Sequence, residues 1–527
     1  MQEQEREAPT VKQGSKHGQK IYGATFGTPV DFGVTGLKEQ IHLRNFQLSG
    51  HRDYKDTYYD TTNLDLSRFG ALLRLRISAE RTFWNVQLFR KKNDRYLILH
   101  DLEFEGSPSE IPEEPINLLY AFHRSQQLVQ IGQIRIIQTN YERQDGEGPP
   151  HDGIIDRDIS SSGTISGAQH FRDIILRTSS RATFDRAPYE SLEAFMLSKG
   201  GDKYLDIPEI FRVLGPIAPS LHTILESSGD PDSRAYAILQ QAVALAVGRL
   251  LRFDPGVRLS PDPEIVHEFR VTVRRLRSDL RSFSSIIDAA GANLLRNELA
   301  WLGGEVGKIR DCDVLTEHIH DLSLHNLSED QAGIVMLQDF INSLCKINRK
   351  LLLETISSKR YADLIETIIN IAIGSISIEN AAGINQHKPF QKSSERIIKK
   401  IVRQRWRKYA RAAQQINTGS SERELHHVRI LAKRCRYAAE AALPLFGVAA
   451  RRFSRSMQEV QNLLGTYHDC AFQETWLRKI AEDLPDARVA IGELTFLIQQ
   501  EREYLKSKWP KIWKKTSSPK LRRWTDA

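Results

Sequence analysis

Five side chains able to carry or donate positive charge stand at His267, Arg270, Arg274, Arg277 and Arg281. Steps of three, four, three and four residues place them on one face of a helix. An adjacent face carries Val266, Phe269, Val273, Leu276 and Leu280. At ~1.5 Å per residue the cationic row is about 21 Å long. A row of that length suits a long or multiply charged anion, because Arg presents a planar fork of donors to phosphate oxygens and stays charged. A solvated helix face looks the same in sequence, since runs of charge usually face water.

A second copy separates these readings. His426, Arg429, Lys433, Arg434 and Arg436 repeat the types and spacing of His267, Arg270, Arg274, Arg275 and Arg277, at an offset of 159 residues. A further landmark, Gly307 to Asp311, recurs as Gly465 to Asp469 at an offset of 158. Two linked motifs repeating in order indicate an internal duplication. His267 and His426 are candidate donors to an anion, as neutral rings or as imidazolium, because a nearby polyanion favours the charged form. Their alternative is to cap or pack against Asp311 or Asp469. Those two acids read as braces that fix an Arg of the stripe.

Long helices must carry these rows. Ala235–Phe253, Glu264–Ala289, Leu294–Val306, Asp311–Leu324 and Glu329–Ile356 have helical texture. Lys392–Gln415, Glu422–Phe446, Ala450–Leu464, Asp469–Asp483 and Ala487–Trp509 repeat the plan, so two bundles are expected. Before them the texture is that of strands. Leu73 to Ile77 alternates apolar and basic, and Trp84–Phe89, Tyr96–Phe104, Gln133–Gln138 and Asp173–Thr178 follow between turn signals. The fold class is therefore α+β: an N-terminal antiparallel β-barrel or tunnel, then an all-α domain. The expected boundaries are a flexible tail at 1–20, the β domain at 21–206, a linker rich in Pro, Gly and Ser at 207–232, the helical domain at 233–515 with repeats near 233–375 and 392–515, and a tail at 516–527.

Composition narrows the partners. The chain has 527 residues, 40% hydrophobic and 27% charged, with a net charge of +8 and a pI of about 9.1. A basic balance favours polyanions. The four cysteines, Cys312, Cys345, Cys435 and Cys470, are too few for a disulfide scaffold and lack zinc-site spacing. Residues 1–20 lack the apolar core of a signal peptide, and no run reaches about 18 apolar residues. A cytoplasmic protein is expected.

The helical half resembles the CHAD family, the conserved histidine α-helical domain. The matching segments are VHEFRVTVRRLRSDLRSF and LGGEVGKIRDCDVL, then LHHVRILAKRCRYAAEAALPLFG and LLGTYHDC. The resemblance implies two four-helix bundles around a basic pore or groove that binds inorganic polyphosphate. It assigns His267, Arg270, Arg274 and Arg277 to the lining from one repeat, and His426, Arg429, Lys433 and Arg436 from the other. Arg275 and Arg434 fall about one helix step aside, to face phosphate or pair with carboxylates.

The strand-rich half resembles the CYTH family of triphosphate tunnel enzymes. The matching residues are YYDTTNLDL from Tyr58, GALLRLR from Gly70, Trp84, Glu103, Glu105, Ser198, Lys199 and Tyr204. That family opens with Glu-x-Glu-x-Lys, which supplies metal-binding carboxylates. Here the matching positions are Ile21, Gly23 and Thr25, and no acid occurs between Gln19 and Val30. Magnesium needs oxygen ligands, usually carboxylates plus substrate phosphate. Without them, metal-assisted attack on a phosphoanhydride loses its template. Arg74 and Arg76 are candidate tunnel phosphate contacts if both face inward, which their i,i+2 spacing on a strand allows; a solvated strand face is the alternative.

The expectation is a polyphosphate-binding protein of the cytoplasm, with polyphosphate granules as its setting and an inactive tunnel. No metal or other cofactor is expected; Mg2+ or Mn2+ enters only under the alternative of an active triphosphatase. Nucleic acid is a second alternative, disfavoured because the stripes lack interleaved aromatics. Lys399, Arg403, Arg407 and Arg411 make a further basic row. Trp509, Trp513 and Trp524 among C-terminal Lys and Arg are expected to dock into the bundle.

Overall fold

The computed structural model describes residues 22–32, 46–92, 95–143, 153–163, 167–178, 194–204, 207–214, 235–260, 262–282, 289–326, 331–373, 394–417 and 419–526. The expected tail at 1–20 and most of the expected linker lie outside them. The chain divides into two compact units, Met1–Thr223 and Ile224–Ala527.

The first unit is a nine-stranded antiparallel sheet. Its strands are β1 Tyr22–Thr28, β2 Phe46–Asp60, β3 Ala71–Ser78, β4 Thr82–Lys92, β5 Arg95–Phe104, β6 Val129–Arg143, β7 Gly153–Ser162, β8 His170–Thr178 and β9 Asp202–Tyr204. Their order is β5-β4-β3-β2-β6-β7-β8-β1-β9. Among the described residues β5 and β9 end the sheet without pairing to each other, so it is open where a closed barrel was one expectation. The YYDTTNLDL stretch builds a corner. Asp60 accepts hydrogen bonds from the amides of Thr61 at 2.7 Å, Leu66 at 2.8 Å and Ser67 at 2.9 Å, and so anchors the short helix α1, Asp65–Phe69. Helix α2, Glu209–Leu214, falls where a linker was expected. It buries Ile210, Phe211, Val213 and Leu214 against Tyr54, Tyr58, Ile134, Ile136 and Ile159 of the sheet. Four apolar side chains in six residues are too many for a solvated linker, so residues 207–214 belong to the sheet unit.

The second unit is helical. Its first repeat holds α3 Ala235–Leu259, α4 Pro263–Ser282, α5 Ala289–Asn326, α6 Gln331–Ile356 and α7 Lys359–Ala372. Its second holds α8 Ser394–Ala413, α9 Glu422–Ala441, α10 Leu443–Asp483 and α11 Arg488–Ser507. Helices α4 and α9 start at 263 and 422 and end at 282 and 441, a constant 159 apart. Their buried stripes repeat as well: Val266, Phe269, Val273, Leu276 and Leu280 correspond to Leu425, Val428, Ala432, Cys435 and Ala439. A capping box starts α9, with Ser421 accepting from the Glu424 amide and Glu424 accepting from the Ser421 amide. Two expected helix breaks are absent. The gap left at 307–310, which holds Gly307, lies inside the continuous α5, and the gap at 465–468, which holds Gly465, lies inside α10. A helical Gly costs only about 1 kcal/mol against Ala, less than the packing of the rest of each helix contributes. Gly447, at φ 45°, does interrupt α10 near its start. The repeats share one core, in which Leu315, Ile319, Leu337 and Ile341 meet Leu477, Ile491, Leu494 and Ile498.

The last residues, expected as a tail from 516, are packed. Helix α12, Trp509–Thr516, stacks Trp513 on Trp509 and Trp406, at ring separations of 6.4 and 6.5 Å. Helix α13, Arg523–Asp526, sets Trp524 4.9 Å from Phe446. The tryptophans dock as expected, and this docking removes the tail.

Several arginines inside the sheet unit are matched by acids. Arg74 and Arg76 point to the same side of β3, and both reach Asp56 of the neighbouring β2. Arg74 Nη1 donates to Oδ2 at 3.1 Å; Arg76 Nε donates to Oδ1 at 2.7 Å and its Nη2 to Oδ2 at 2.6 Å. Arg74 Nε donates to Asn85 at 3.0 Å. Asp56 is fully buried, so removing its carboxylate leaves two guanidinium groups without their acceptor. Asp56→Ala is expected to destabilise the sheet unit by about 3–5 kcal/mol. Urea unfolding of the full chain, followed by a β-structure signal, measures it; a change below about 1 kcal/mol would mean the arginines find other partners.

Candidate functional site

Helices α4 and α9 pack against each other and bring the repeated cationic faces together. The central group is Arg270 and Arg274 from α4 with Arg429 and Lys433 from α9. Two acids brace it, one from each Gly-to-Asp landmark. Arg270 Nη1 donates to Asp311 Oδ1 at 3.0 Å, and Arg429 Nη2 lies 3.9 Å from Asp469 Oδ1. The glycines explain the spacing of the landmark. A Cβ on Gly307 would stand 3.6 Å from Arg270 Nη2, and one on Gly465 would stand 3.8 Å from Arg429 Nε. Each guanidinium thus lies against the bare backbone, one helical turn before the Asp that orients it. Alanine fits there in ordinary contact, while a longer side chain displaces the arginine.

Like charge dominates this cluster. Burial, followed by the charges of Arg274, Arg429 and Arg270, pushes Lys433 down to about 6. Burial also lowers Arg429, with Asp469 opposing and Arg274 and Arg270 adding to the depression. His426 is lowered by burial and by His468, Arg429 and Lys433; its ring lies 4.3 Å from that of His468. Burial, Arg429 and Lys433 press His468 down to about 4. His267 is lowered by burial and Arg310, with Glu264 and Glu268 opposing and Arg274 adding a smaller push. Arg270 Nε, Arg429 Nε and His426 Nδ1 are buried without a hydrogen-bond partner among the described residues. Unpartnered ring and guanidinium nitrogens and surplus positive charge therefore stand together, an imbalance that an anion would satisfy.

The expected residues divide into three groups. His267, Arg270, Arg274, His426, Arg429 and Lys433 form the central cluster. Arg277 and Arg434 stand apart from it in a second cationic group with Arg281, Arg296 and Arg405. Arg275 and Arg436 turn to an acid instead: Arg275 Nη1 is 3.3 Å, and Arg436 Nε 3.5 Å, from the Glu440 carboxylate. Arg436 is therefore removed from the unneutralised lining, because its own i+4 neighbour is acidic. The basic row on α8 divides too. Arg403 donates to the Thr525 carbonyl and Lys399 lies over the Phe446 ring, so both dock the C-terminus, while Arg405, off that row, joins the cationic group.

Sequence reasoning passed over Arg310 and His468 as site residues. They occupy equivalent positions just before the braces Asp311 and Asp469, and that adjacency was the available signal. Arg296 and Arg405 carried none, since each reaches the group from a separate helix.

In the sheet unit Arg74 and Arg76 do face inward together, but Asp56 holds both. Nearby, Arg157 pairs with Glu209 of α2, and Arg212 Nη1 donates to Asp173 at 2.8 Å. Burial alone would raise the Glu209 carboxyl; Arg157 and Arg74 outweigh it and hold it at about 2. Glu209 thus places the chain's own carboxylate between two inward arginines. Asp156 pairs with Arg172 in the same way. Asp56, Glu209, Asp173 and Asp156 are engaged by guanidinium groups, and β1 offers no carboxylate, so the residues do not fit a divalent metal held by an opening acidic strand.

Among the described residues no helix is long and apolar enough to cross a membrane. An uncharacterised protein of Mycobacterium tuberculosis, Rv2226, is 26% identical over 474 residues, 85% of this chain and 86% of that one. A crystal structure of the CHAD domain from Ricinus communis aligns with 55% of this chain and 94% of its own, at 22% identity and a TM-score of 0.45. HpAC1 from Hippeastrum, described as having a dominant triphosphatase activity, aligns with 37% of this chain and 98% of its own, at 15% identity and a TM-score of 0.25. The family model of the CHAD domain matches residues 241–478, which contain both cationic faces and both braces. The helical unit of this chain carries a CHAD domain.

Proposed function

We propose that the chain binds inorganic polyphosphate in the groove between α4 and α9, and that the sheet unit does not hydrolyse it. The observation that carries this reading is the convergence of Arg270, Arg274, Arg429 and Lys433 on only two braces, Asp311 and Asp469. Arginine forks from both repeats would contact a linear polyanion from two sides. His426, His468 and His267 add donors at the edge. Recognition by charge spacing requires no base readout, which favours polyphosphate over nucleic acid. Ion pairing of Asp56, Glu209, Asp156 and Asp173 with arginines supports a sheet interior without hydrolytic machinery. Cytoplasmic polyphosphate granules are the setting this reading suggests.

Titration of the full chain with polyphosphates of several lengths, at several salt concentrations, tests the reading. Affinity is expected to fall steeply with salt, by roughly 0.7 in log–log slope per phosphate contact if polyphosphate behaves as a single strand. Arg274→Glu combined with Lys433→Glu is expected to abolish binding while leaving the thermal melt cooperative. Unchanged affinity, or a preference for DNA in competition at fixed salt, would overturn the reading.

The depressed groups set a pH dependence. In the free protein Lys433 titrates at about 6 and His468 at about 4. A bound polyanion raises both, so binding takes up protons. Affinity should therefore increase as pH falls from 8 toward 6, and Lys433→Gln should flatten that profile. A pH-independent affinity for the unmodified chain would count against a site at Lys433.

A phosphate-release assay with tripolyphosphate and either Mg2+ or Mn2+ addresses the sheet unit. No turnover is expected; release at about 1 s−1 or faster, an ordinary enzyme rate, would make this unit an enzyme.

A further inference from the structure

The two repeats build equivalent corners beside the central cluster, and those corners differ in charge. Under the 159-residue shift Arg275 corresponds to Arg434, Arg436 to Arg277, and Glu440 to Arg281. In one corner the Glu440 carboxylate lies 3.3 Å from Arg275 and 3.5 Å from Arg436, and Asp279 lies 3.9 Å from Arg275. In the other, the position of Glu440 is held by Arg281. There Arg434 is pushed down to about 10 by burial and by Arg281, Arg405 and Arg296. Arg296 is lowered by burial, Arg281 and Arg277, and Arg405 by burial and Arg281. Arg405 Nη2 donates to the Arg281 carbonyl at 3.0 Å, which fixes its guanidinium at the end of α4. The same shift sets Arg405 against Ala246, which lines a small cavity beside Arg275, Asp279 and Glu440. Among the described residues, one corner thus sets Glu440 and Asp279 among Arg249, Arg275 and Arg436, where the other collects Arg277, Arg281, Arg296, Arg405 and Arg434.

We infer that the groove has a direction: a bound polyphosphate runs from the central cluster into the corner of Arg277, Arg434 and Arg405, and stops short of Glu440. Glu440 is the residue that sets this limit, because it holds Arg275 and Arg436 and repels phosphate from them. The inference rests on the polyphosphate reading and adds which half of a twofold-repeated surface is used. A symmetric groove would need a chain reaching both corners; a directional one is filled by a shorter chain.

Three variants of the full chain, titrated with long-chain polyphosphate at fixed salt, test it. Arg405→Gln with Arg434→Gln is expected to weaken binding at least tenfold and to lower the salt slope by roughly 1.4, two contacts at about 0.7 each. Arg275→Gln with Arg436→Gln should stay within twofold of the unmodified protein. Glu440→Gln keeps an acceptor for the Ser454 hydroxyl, which lies at 3.2 Å, and frees both arginines; it should tighten long-chain binding several-fold. Equal losses from the two double variants, or a larger loss from Arg275 and Arg436, would overturn the direction. If the Arg405 and Arg434 variant fails to fold, Glu440→Gln decides alone, and an unchanged or weaker affinity refutes the limit. Absence of binding by the unmodified chain defeats the polyphosphate reading and this inference together. Binding that is lost in Arg274→Glu with Lys433→Glu, yet is indifferent to the choice of corner, defeats the inference only.

Discussion

Repulsion among like charges is the constraint around which the helical unit is built. Four cationic side chains from two helices are pressed together, and Lys433 is the one whose proton becomes easiest to lose. What holds them is the apolar stripe on the next face of each helix. Val266, Phe269, Val273, Leu276 and Leu280 are all buried, as are their counterparts on α9. Each Val, Leu or Phe among them contributes roughly 1.5–3 kcal/mol when fully buried, enough to offset an electrostatic opposition that solvent and the two Asp braces already soften. The core thus keeps the cations at a spacing they would not choose themselves. Such preorganisation favours binding, since the groups need no ordering when an anion arrives.

The sheet unit treats charge in the opposite way. Its described arginines Arg74, Arg76, Arg157, Arg172 and Arg212 are each met by a carboxylate of the same unit. Asp56 serves both Arg74 and Arg76, and Glu209 stands between Arg157 and Arg74. Burial makes these pairs expensive to break without making them a source of net stability. One chain therefore carries a surface with cations in surplus and an interior with cations in balance. Only the first has unspent attraction for a polyanion.

Much of this was legible in the residues, and the misses have physical causes. The repeat, the helical stripes, the role of Asp311 and Asp469 and the strand alternation around Arg74 all follow from periodicity, which local geometry enforces. The breaks expected at Gly307 and Gly465 failed because packing outweighs a small helical penalty. The linker expected at 207 failed because Pro and Gly around Ile210 and Phe211 drew more weight than those apolar residues. Arg436 read as lining because its spacing matched, whereas Glu440, one turn on, claims it. Arg405 and Arg296 were silent because closeness between separate helices leaves no mark on either one alone. Spacing along a chain reports faces; it does not report which faces meet.

The shared core of the repeats has a consequence for synthesis. Leu315, Ile319, Leu337 and Ile341 in the first repeat have their partners about one repeat later in the chain. At roughly 5–20 residues per second, the 159-residue offset takes on the order of 8–30 s to translate. Through that interval the first repeat exposes both an apolar face and a complete row of basic side chains, to a ribosome whose own surface is polyanionic. The nascent chain is then most vulnerable to the wrong polyanion, and the arrival of α9 to α11 covers the apolar face.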